Sequence, residues 1–280
     1  MGNLPHWLIK RTPKSENIKN IRGLIGNKVQ TVCESAKCPN IGECYQNRTV
    51  TFMILGNICT RACDFCAVEK GNPGMPDPME PKQVAEAARS LGLKYVVVTS
   101  VTRDDLPDGG ASYFAKTINE LRSSIPGVKV EVLIPDLKGH KEHLKTVINA
   151  GPDVLNHNIE MVPRLYKSIR PRSNYYTSIN LLKVSRAINK KIRIKSGFMV
   201  GLGEKEEEVV SLLKDLKNAG CDIVTIGQYI PPTQNSAKVV QYIEPEKFEQ
   251  YRHFGLSIGI EHVFSGPFVR SSYQAENIFK

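Results

Sequence analysis

The sequence predicts an α/β fold, a partial (β/α)6 TIM-like barrel with N-terminal and C-terminal extensions. Three observations predict it. Short β-branched runs alternate with amphipathic stretches between residues 50 and 230. Gly92, Gly151 and Gly220 follow those stretches where helix stops are expected. The chain has 280 residues, a length at which a barrel commonly runs as one unit.

The elements follow in order. Strands are expected over residues 51–55, 95–99, 128–134, 154–159, 192–199 and 223–228. Helices are expected over 81–91, 111–123, 141–150, 176–188, 204–219 and 246–258, with Pro81 suited to a first helical position. Parallel strands joined by crossover helices carry their chemistry at the C-terminal strand ends. That points to the segments after Leu55, Thr99 and Ile134, to residues 158–160 and 199–204, and to Gln228. An open doubly wound sheet accounts for the same alternation. Residues 1–49 are polar, basic and cysteine-bearing, without a clean period, and read as an N-terminal extension. Residues 50–230 read as the barrel. Residues 231–280, punctuated by Pro231, Pro232, Pro245 and Pro267, read as a C-terminal extension.

Composition excludes several classes. With 41% apolar and 24% charged residues the chain is globular. No apolar run approaches the ~18 residues of a membrane span. The first twenty residues lack the apolar core of a secretory signal. The expectation is a cytoplasmic protein with no membrane partner. Thirty-eight basic against 28 acidic residues leave a charge of +10. The excess gathers at Lys10, Arg11, Lys14, Lys19, Arg22 and Lys28, and again between residues 164 and 195, where no acid occurs. Solvated helix faces account for such runs, and so does an acidic partner. No nucleic-acid motif accompanies them, which favours an acidic protein or cofactor over a nucleic acid.

Six of the seven cysteines lie between residues 33 and 66. In a reducing compartment such a group points to a metal site rather than disulfides. Cys59-x3-Cys63-x2-Cys66 follows the first expected strand. Three thiolates on a tight loop hold three irons of a [4Fe–4S] cluster and leave the fourth open to a ligand. Zinc is the other metal reading; it usually shows two ligand pairs, and no histidine lies between Cys33 and Cys66. A second trio, Cys33-x4-Cys38-x5-Cys44, has different spacing, so it is no duplication, and it needs a fourth ligand from elsewhere. Arg270-Ser271-Ser272-Tyr273 alone reads as a polar surface turn. His157 and Cys221 read as core residues and Trp7 as a packing anchor. The stretch Gly201-Leu202-Gly203-Glu204 is too short for a dinucleotide fingerprint and reads as a turn.

Cys59-x3-Cys63-x2-Cys66, with Phe65 before the last cysteine and the strand–helix alternation behind it, resembles the radical S-adenosylmethionine (SAM) superfamily. The two trios together with Arg270-Ser271-Ser272-Tyr273 resemble the lipoyl synthase family within it. The likeness extends over residues 31–44 (with Cys38-Pro39-Asn40-Ile41-Gly42-Glu43-Cys44), 51–67, 99–110, 156–160, Arg170-Pro171, 195–204 and 265–275. The resemblance implies a barrel of the radical SAM type, two [4Fe–4S] clusters and SAM as cofactor. It implies that Cys59, Cys63 and Cys66 hold the SAM cluster and that Cys33, Cys38 and Cys44 hold an auxiliary one. Its fourth ligand would be the hydroxylate of Ser272, with Ser271 as the alternative. A hard alkoxide suits iron–sulfide poorly, so that iron is releasable and the cluster can be consumed as a sulfur source. Thr99, Asn158, Glu160 and Lys195 would contact SAM, and Arg172 is a further candidate for its carboxylate.

The implied reaction inserts two sulfur atoms at C6 and C8 of a protein-bound octanoyl-lysyl chain. Implied partners are lipoyl carrier domains of 2-oxoacid dehydrogenase acyltransferase subunits or the glycine cleavage H protein, a reducing donor such as flavodoxin or ferredoxin, and an iron–sulfur carrier that rebuilds the cluster. Lys190 and Lys191 are expected to help dock an acidic carrier. Another radical SAM sulfur-inserting or methylthio-transferring enzyme is the alternative. An iron–sulfur electron carrier is a third reading, but it has no use for an open iron. One departure stands out: where the family usually has His-Leu-Pro-Val, this chain has Ser236-Ala237-Lys238-Val239. The first 30 residues match only loosely.

Overall fold

β-Branched runs form strands and amphipathic runs form helices throughout the computed structural model, which describes residues 4–10, 15–26, 29–273 and 275–279. Arg11, Lys14 and Lys28 of the basic N-terminal stretch lie outside the described residues. Three helices precede the barrel: α1 (Ser15–Ile25), α2 (Val32–Ser35) and α3 (Ile41–Gln46), with β1 (Gln30–Thr31) between the first two. The Thr31 hydroxyl caps α2 by accepting from Glu34 N at 3.4 Å. Helices of four and six residues are too short to print a period on the sequence, which is why none is read there.

The barrel starts with β2 (Thr51–Ile54). A small parallel pair, β3 (Ile58–Cys59) and β4 (Glu69–Lys70), brackets the loop with Cys59, Cys63 and Cys66. The chain then alternates: α4 (Glu80–Ser90), β5 (Tyr95–Ser100), α5 (Ala111–Ser124), β6 (Lys129–Leu133), α6 (Lys141–Asn149), β7 (Val154–Asn156), α7 (Tyr166–Ile169), α8 (Tyr175–Ile188), β8 (Arg193–Val200), α9 (Glu206–Asn218), β9 (Ile223–Gln228), α10 (Pro245–Ser257) and β10 (His262–Gly266). The sheet order is β1-β2-β5-β6-β7-β8-β9-β10. Every pair from β2 to β10 is parallel, and only β1 runs antiparallel. The end strands do not pair with each other, so the barrel is partial.

All six expected strands are present, and β10 adds a seventh parallel one. Its five residues, His-Val-Phe-Ser-Gly, pair along β9 with Val263 opposite Val224. Only one aliphatic residue marks it, and it follows a proline-punctuated stretch, so it read as tail. The interior is built from strands buried on both faces, such as β5 at the adjacent Val96 and Val97, and from one stripe of each helix. In α9 that stripe is Val209, Leu212, Leu213 and Leu216, each fully buried and worth about 1.5–3 kcal/mol. Cys221 and His157 are also buried. Among the described residues no helix is long and apolar enough to cross a membrane.

Candidate active site

The loop after β2 starts with two residues of positive φ, Leu55 at 69° and Gly56 at 82°. Their amides donate to the Glu80 carboxylate at 2.6 and 3.1 Å, which fixes the turn. The cysteine loop beyond it is braced by several segments. Thr60 N and Oγ1 both donate to Thr102 O, at 3.0 and 2.9 Å. The Arg61 guanidinium is clamped between Asp104 at 2.7 Å and Asp136 at 2.6 Å. Asp64 N donates to Ile169 O at 2.9 Å, and Ala237 N donates to Asp64 O at 2.8 Å. Arg172, exposed, donates to Thr60 O at 3.0 Å, so it holds the loop. Residues 236–239, which depart from the family pattern, therefore touch the cysteine loop through Ala237.

The C-terminal strand ends surround a cavity of 440 Å³. Cys59, Cys63 and Cys66 line it, and so do Cys33 and Cys38. Thr99, Asn158, Glu160, Ser271 and Ser272 line it too, as do Arg170 and Arg270. Cys44 instead borders a second cavity of 290 Å³ with Glu43, Asn47, Thr49, Tyr273, Glu276 and Asn277. All seven cysteines are free. Burial, with neighbouring thiols adding to it, pushes Cys33 and Cys66 up to about 11 and Cys44 up to about 12. Burial likewise raises Cys63, against the pull of Arg170. Such thiols lose their protons only to a bound cation. Among the described residues no three His, Cys, Asp or Glu side chains close around one metal ion.

Polar atoms left unpartnered in the cavity wall test the fit of a polar cofactor. Ser100 Oγ, Asn158 Oδ1 and Arg170 Nε are buried without a hydrogen bond. Buried polar groups normally find a partner, so three at one cavity indicate a ligand with acceptors and donors. Glu160 stands beside them at φ 72°, its carboxyl raised by burial and opposed by Arg170 and Asn158. Neither Arg170 nor Arg270 was singled out in the sequence as a ligand. An unpaired buried Nε marks Arg170, and that is a property of the fold.

The tail carrying Arg270–Tyr273 meets the N-terminal segment directly. Asn40 Nδ2 donates to Phe268 O at 2.7 Å, and the Tyr273 hydroxyl donates to Glu43 Oε1 at 2.6 Å. Lys10 Nζ joins them, 2.9 Å from Glu43 and 4.6 Å from the Phe268 ring centre. The tail crosses β9 where Gly227 leaves room: a Cβ there would stand 2.1 Å from Val269 O.

Comparison with known proteins places this geometry. Residues 53–216 match the model of the radical SAM superfamily. Over 273 residues the chain is 56% identical to the lipoyl synthase of Caldanaerobacter subterraneus subsp. tengcongensis, covering 97% of this chain and 95% of that one. The chain belongs to the lipoyl synthase family. The lipoyl synthases of Rubrobacter xylanophilus and Aquifex aeolicus are each 52% identical, over 97% and 89% of this chain and 85% and 90% of theirs. Two solved structures share the fold. The FeFe-hydrogenase maturase HydG of Carboxydothermus hydrogenoformans has a TM-score of 0.59 at 17% identity, over 82% of this chain and 64% of that one. Methylornithine synthase has a TM-score of 0.57 at 14% identity, over 77% and 71%. Membership of the lipoyl synthase family makes the chain a sulfur-inserting radical SAM enzyme, with SAM and two [4Fe–4S] clusters as its cofactors.

Some expected site residues stand elsewhere. Lys195 does not line the cavity. It is 1% exposed, inside the barrel, with Nζ 2.9 and 3.0 Å from the two oxygens of fully buried Glu131. A lysine buried this deeply requires a paired carboxylate, so its charge is already spent. Lys190 and Lys191 are corrected as well. They connect α8 to the start of β8, on the end of the barrel opposite the cavity, and cannot rim its mouth. In the turn after β8 the Glu204 carboxylate accepts from Gly201 N and Leu202 N, and these residues do not line the cavity. His157 is spoken for, with Nδ1 2.9 Å from Ile134 O and Nε2 2.9 Å from Ser178 Oγ.

Proposed function

We propose that this chain inserts two sulfur atoms, at C6 and C8, into an octanoyl chain held in amide linkage on a lysine of a lipoyl carrier domain, with its own auxiliary cluster as the sulfur source. One observation carries the reading: thiols of both cysteine trios and the tail serines open onto one cavity. Cys59, Cys63 and Cys66 would hold the SAM cluster. Cys33, Cys38 and Cys44 would hold the auxiliary cluster, with a serine as fourth ligand. Ser271 Oγ is engaged by Asn158 Nδ2 at 3.0 Å, which favours Ser272 for that place. When bound, SAM and the two clusters supply an electron, a radical able to take hydrogen from unactivated carbon, and sulfide.

The chain's own residues bind and orient. Arg170, with its unpartnered Nε, suits the carboxylate of SAM. Asn158 Oδ1 and Glu160 suit the ribose hydroxyls, and Thr99 lies on the wall between them and the cysteine loop. Val32, Phe65, Val101, Met199 and Ile230 give the cavity an apolar lining that accepts an octanoyl chain and excludes water from a radical. Exposed Lys37, Lys167 and Arg172, at the mouth end, replace Lys190 and Lys191 as the cations for an acidic carrier domain. Carriers of this kind are 2-oxoacid dehydrogenase acyltransferase subunits and the glycine cleavage H protein. Flavodoxin or ferredoxin would deliver electrons, and an iron–sulfur carrier would rebuild the auxiliary cluster.

Two variants test the division. Anaerobically reconstituted Cys59→Ala is expected to lose SAM cleavage altogether. Cys38→Ala is expected to cleave SAM and leave an octanoyl-lysyl peptide free of sulfur. Sulfur insertion by Cys38→Ala would contradict the reading.

A further inference from the structure

Ile278 and Phe279 occupy the end of the barrel opposite the active site. Residues 275–279 form a short 3-10 helix, Ala275–Phe279. Ile278, 6% exposed, packs in one cluster with Val154 and Ile223, and Phe264 joins it. The Phe279 ring lies 5.7 Å from that of Tyr95, with Lys129 Nζ at 5.4 Å and the Arg193 guanidinium carbon at 5.6 Å over its face. Tyr95, Lys129, Val154, Arg193 and Ile223 are the first residues of β5, β6, β7, β8 and β9. Two side chains thus touch the starting residue of five successive parallel strands. They close the barrel beneath the buried Glu131, which Tyr95 reaches with its hydroxyl at 2.6 Å.

A few residues earlier the same tail is at the other end. Ser271 and Ser272 line the cavity beside Cys33 and Cys38. In between, Tyr273, Glu276 and Asn277 share the second cavity with Asn47 and Thr49, where the chain enters β2. The tail therefore runs the length of the barrel beside β2. Only five residues separate Ser272 from Ile278. Residues 271–273 form a turn, with Tyr273 N donating to Arg270 O at 3.0 Å, and Ala275–Phe279 is the 3-10 helix. A segment so short and held at both ends couples the position of one end to that of the other. A chain terminus without such a tie is ordinarily poorly ordered.

We propose that Ile278 and Phe279 are positioning residues for the auxiliary centre: by stoppering the N-terminal end of the barrel they hold the tail in the register that presents its serines to Cys33 and Cys38. The proposal rests on the reading of a tail serine as cluster ligand.

Amide hydrogen exchange of the cluster-free full chain tests the mechanical part, and spectroscopy of the reconstituted chain tests its consequence. In Ile278→Asp, exchange in residues 268–273 is expected to rise about tenfold or more, while β5 to β8 keep their protection. The iron spectrum of its auxiliary cluster is expected to change in the way that Ser272→Ala, or Ser271→Ala, changes it. SAM cleavage is expected to continue while sulfur insertion per SAM cleaved falls. Ile278→Val is expected to match the parent in all three. Unchanged exchange at 268–273, or exchange rising across the whole sheet, would overturn the proposal. Should Ile278→Asp fail to fold, Phe279→Ala, at a side chain 41% exposed, puts the same question. If neither serine variant alters the auxiliary spectrum, the ligand reading fails on its own, and exchange alone judges the stopper.

Discussion

Asn158 Nδ2 lies 3.0 Å from Ser271 Oγ, across 113 residues of sequence. The bond joins the strand-end segment proposed to hold SAM to the tail proposed to complete the auxiliary cluster. The other half of the same amide, Oδ1, is buried and unpartnered. One side chain thus faces both halves of the site.

Asn158→Ala removes both functions of that amide. SAM is expected to bind about tenfold more weakly, as loss of a hydrogen bond worth about 1–1.5 kcal/mol requires. Calorimetric titration of SAM into the reconstituted variant measures it. Unchanged affinity would remove Asn158 from the SAM site.

Lys195→Met leaves Glu131 as an unpaired charge inside the barrel. Breaking one partner of a buried pair is expected to cost about 3–5 kcal/mol, read by urea unfolding. The double change Glu131→Gln with Lys195→Met is expected to restore much of it. SAM affinity of the folded double variant should stay near that of the parent, because neither side chain reaches the cavity. A specific loss of SAM affinity would return Lys195 to the cofactor site.

His157 makes stability depend on pH. Burial holds it down to about 4 in the folded chain, against about 6.5 when unfolded. Between those values the unfolded chain binds the extra proton, so stability falls as pH drops through that window. The full loss is about 3 kcal/mol, of which about 2 falls between pH 7 and pH 5. His157→Gln, which cannot titrate, is expected to lose about 2 kcal/mol less than the parent over that interval. Equal losses in urea unfolding at the two pH values would contradict this.

Cys44 and Cys221 separate a ligand from a core thiol. Cys44→Ala is expected to hold about half the iron of the parent after reconstitution, one cluster rather than two. Cys221→Ala is expected to keep full iron and to pay only a small packing cost. Iron loss from Cys221→Ala would show that its buried position has been misread.

Local order made most of the fold legible. The β-branched runs, Pro81 and the glycine stops act within a few residues of themselves, and the strands and helices they mark are present. Cysteine spacing was legible for the same reason, since each trio lies within a dozen residues of chain. Long-range pairing was not. Nothing near Lys195 shows that the side chain of Glu131, 64 residues earlier and two strands away in the sheet, meets it. The mouth and the far end of the barrel alternate along the chain, so a count of positive charge cannot tell Lys167 from Lys190. Arg170 lay in a resembling segment, yet its orphaned Nε exists only once the cavity is built. β10 was hidden because its pairing with β9, rather than its composition, makes it a strand.

The central claim is that sulfur from one centre of this cavity reaches a carbon chain activated by the other. The most direct measurement is anaerobic. The full chain, reconstituted with iron and sulfide, is given SAM, a reductant and an octanoyl-lysyl peptide, and the peptide is followed by mass spectrometry alongside protein-bound iron. The account predicts a peptide that gains two sulfur atoms, as the dithiol under the reductant and two hydrogens lighter once oxidised to the disulfide, with iron released from the auxiliary cluster. SAM cleavage with an unmodified peptide, or sulfur gained while auxiliary iron stays whole, would contradict it.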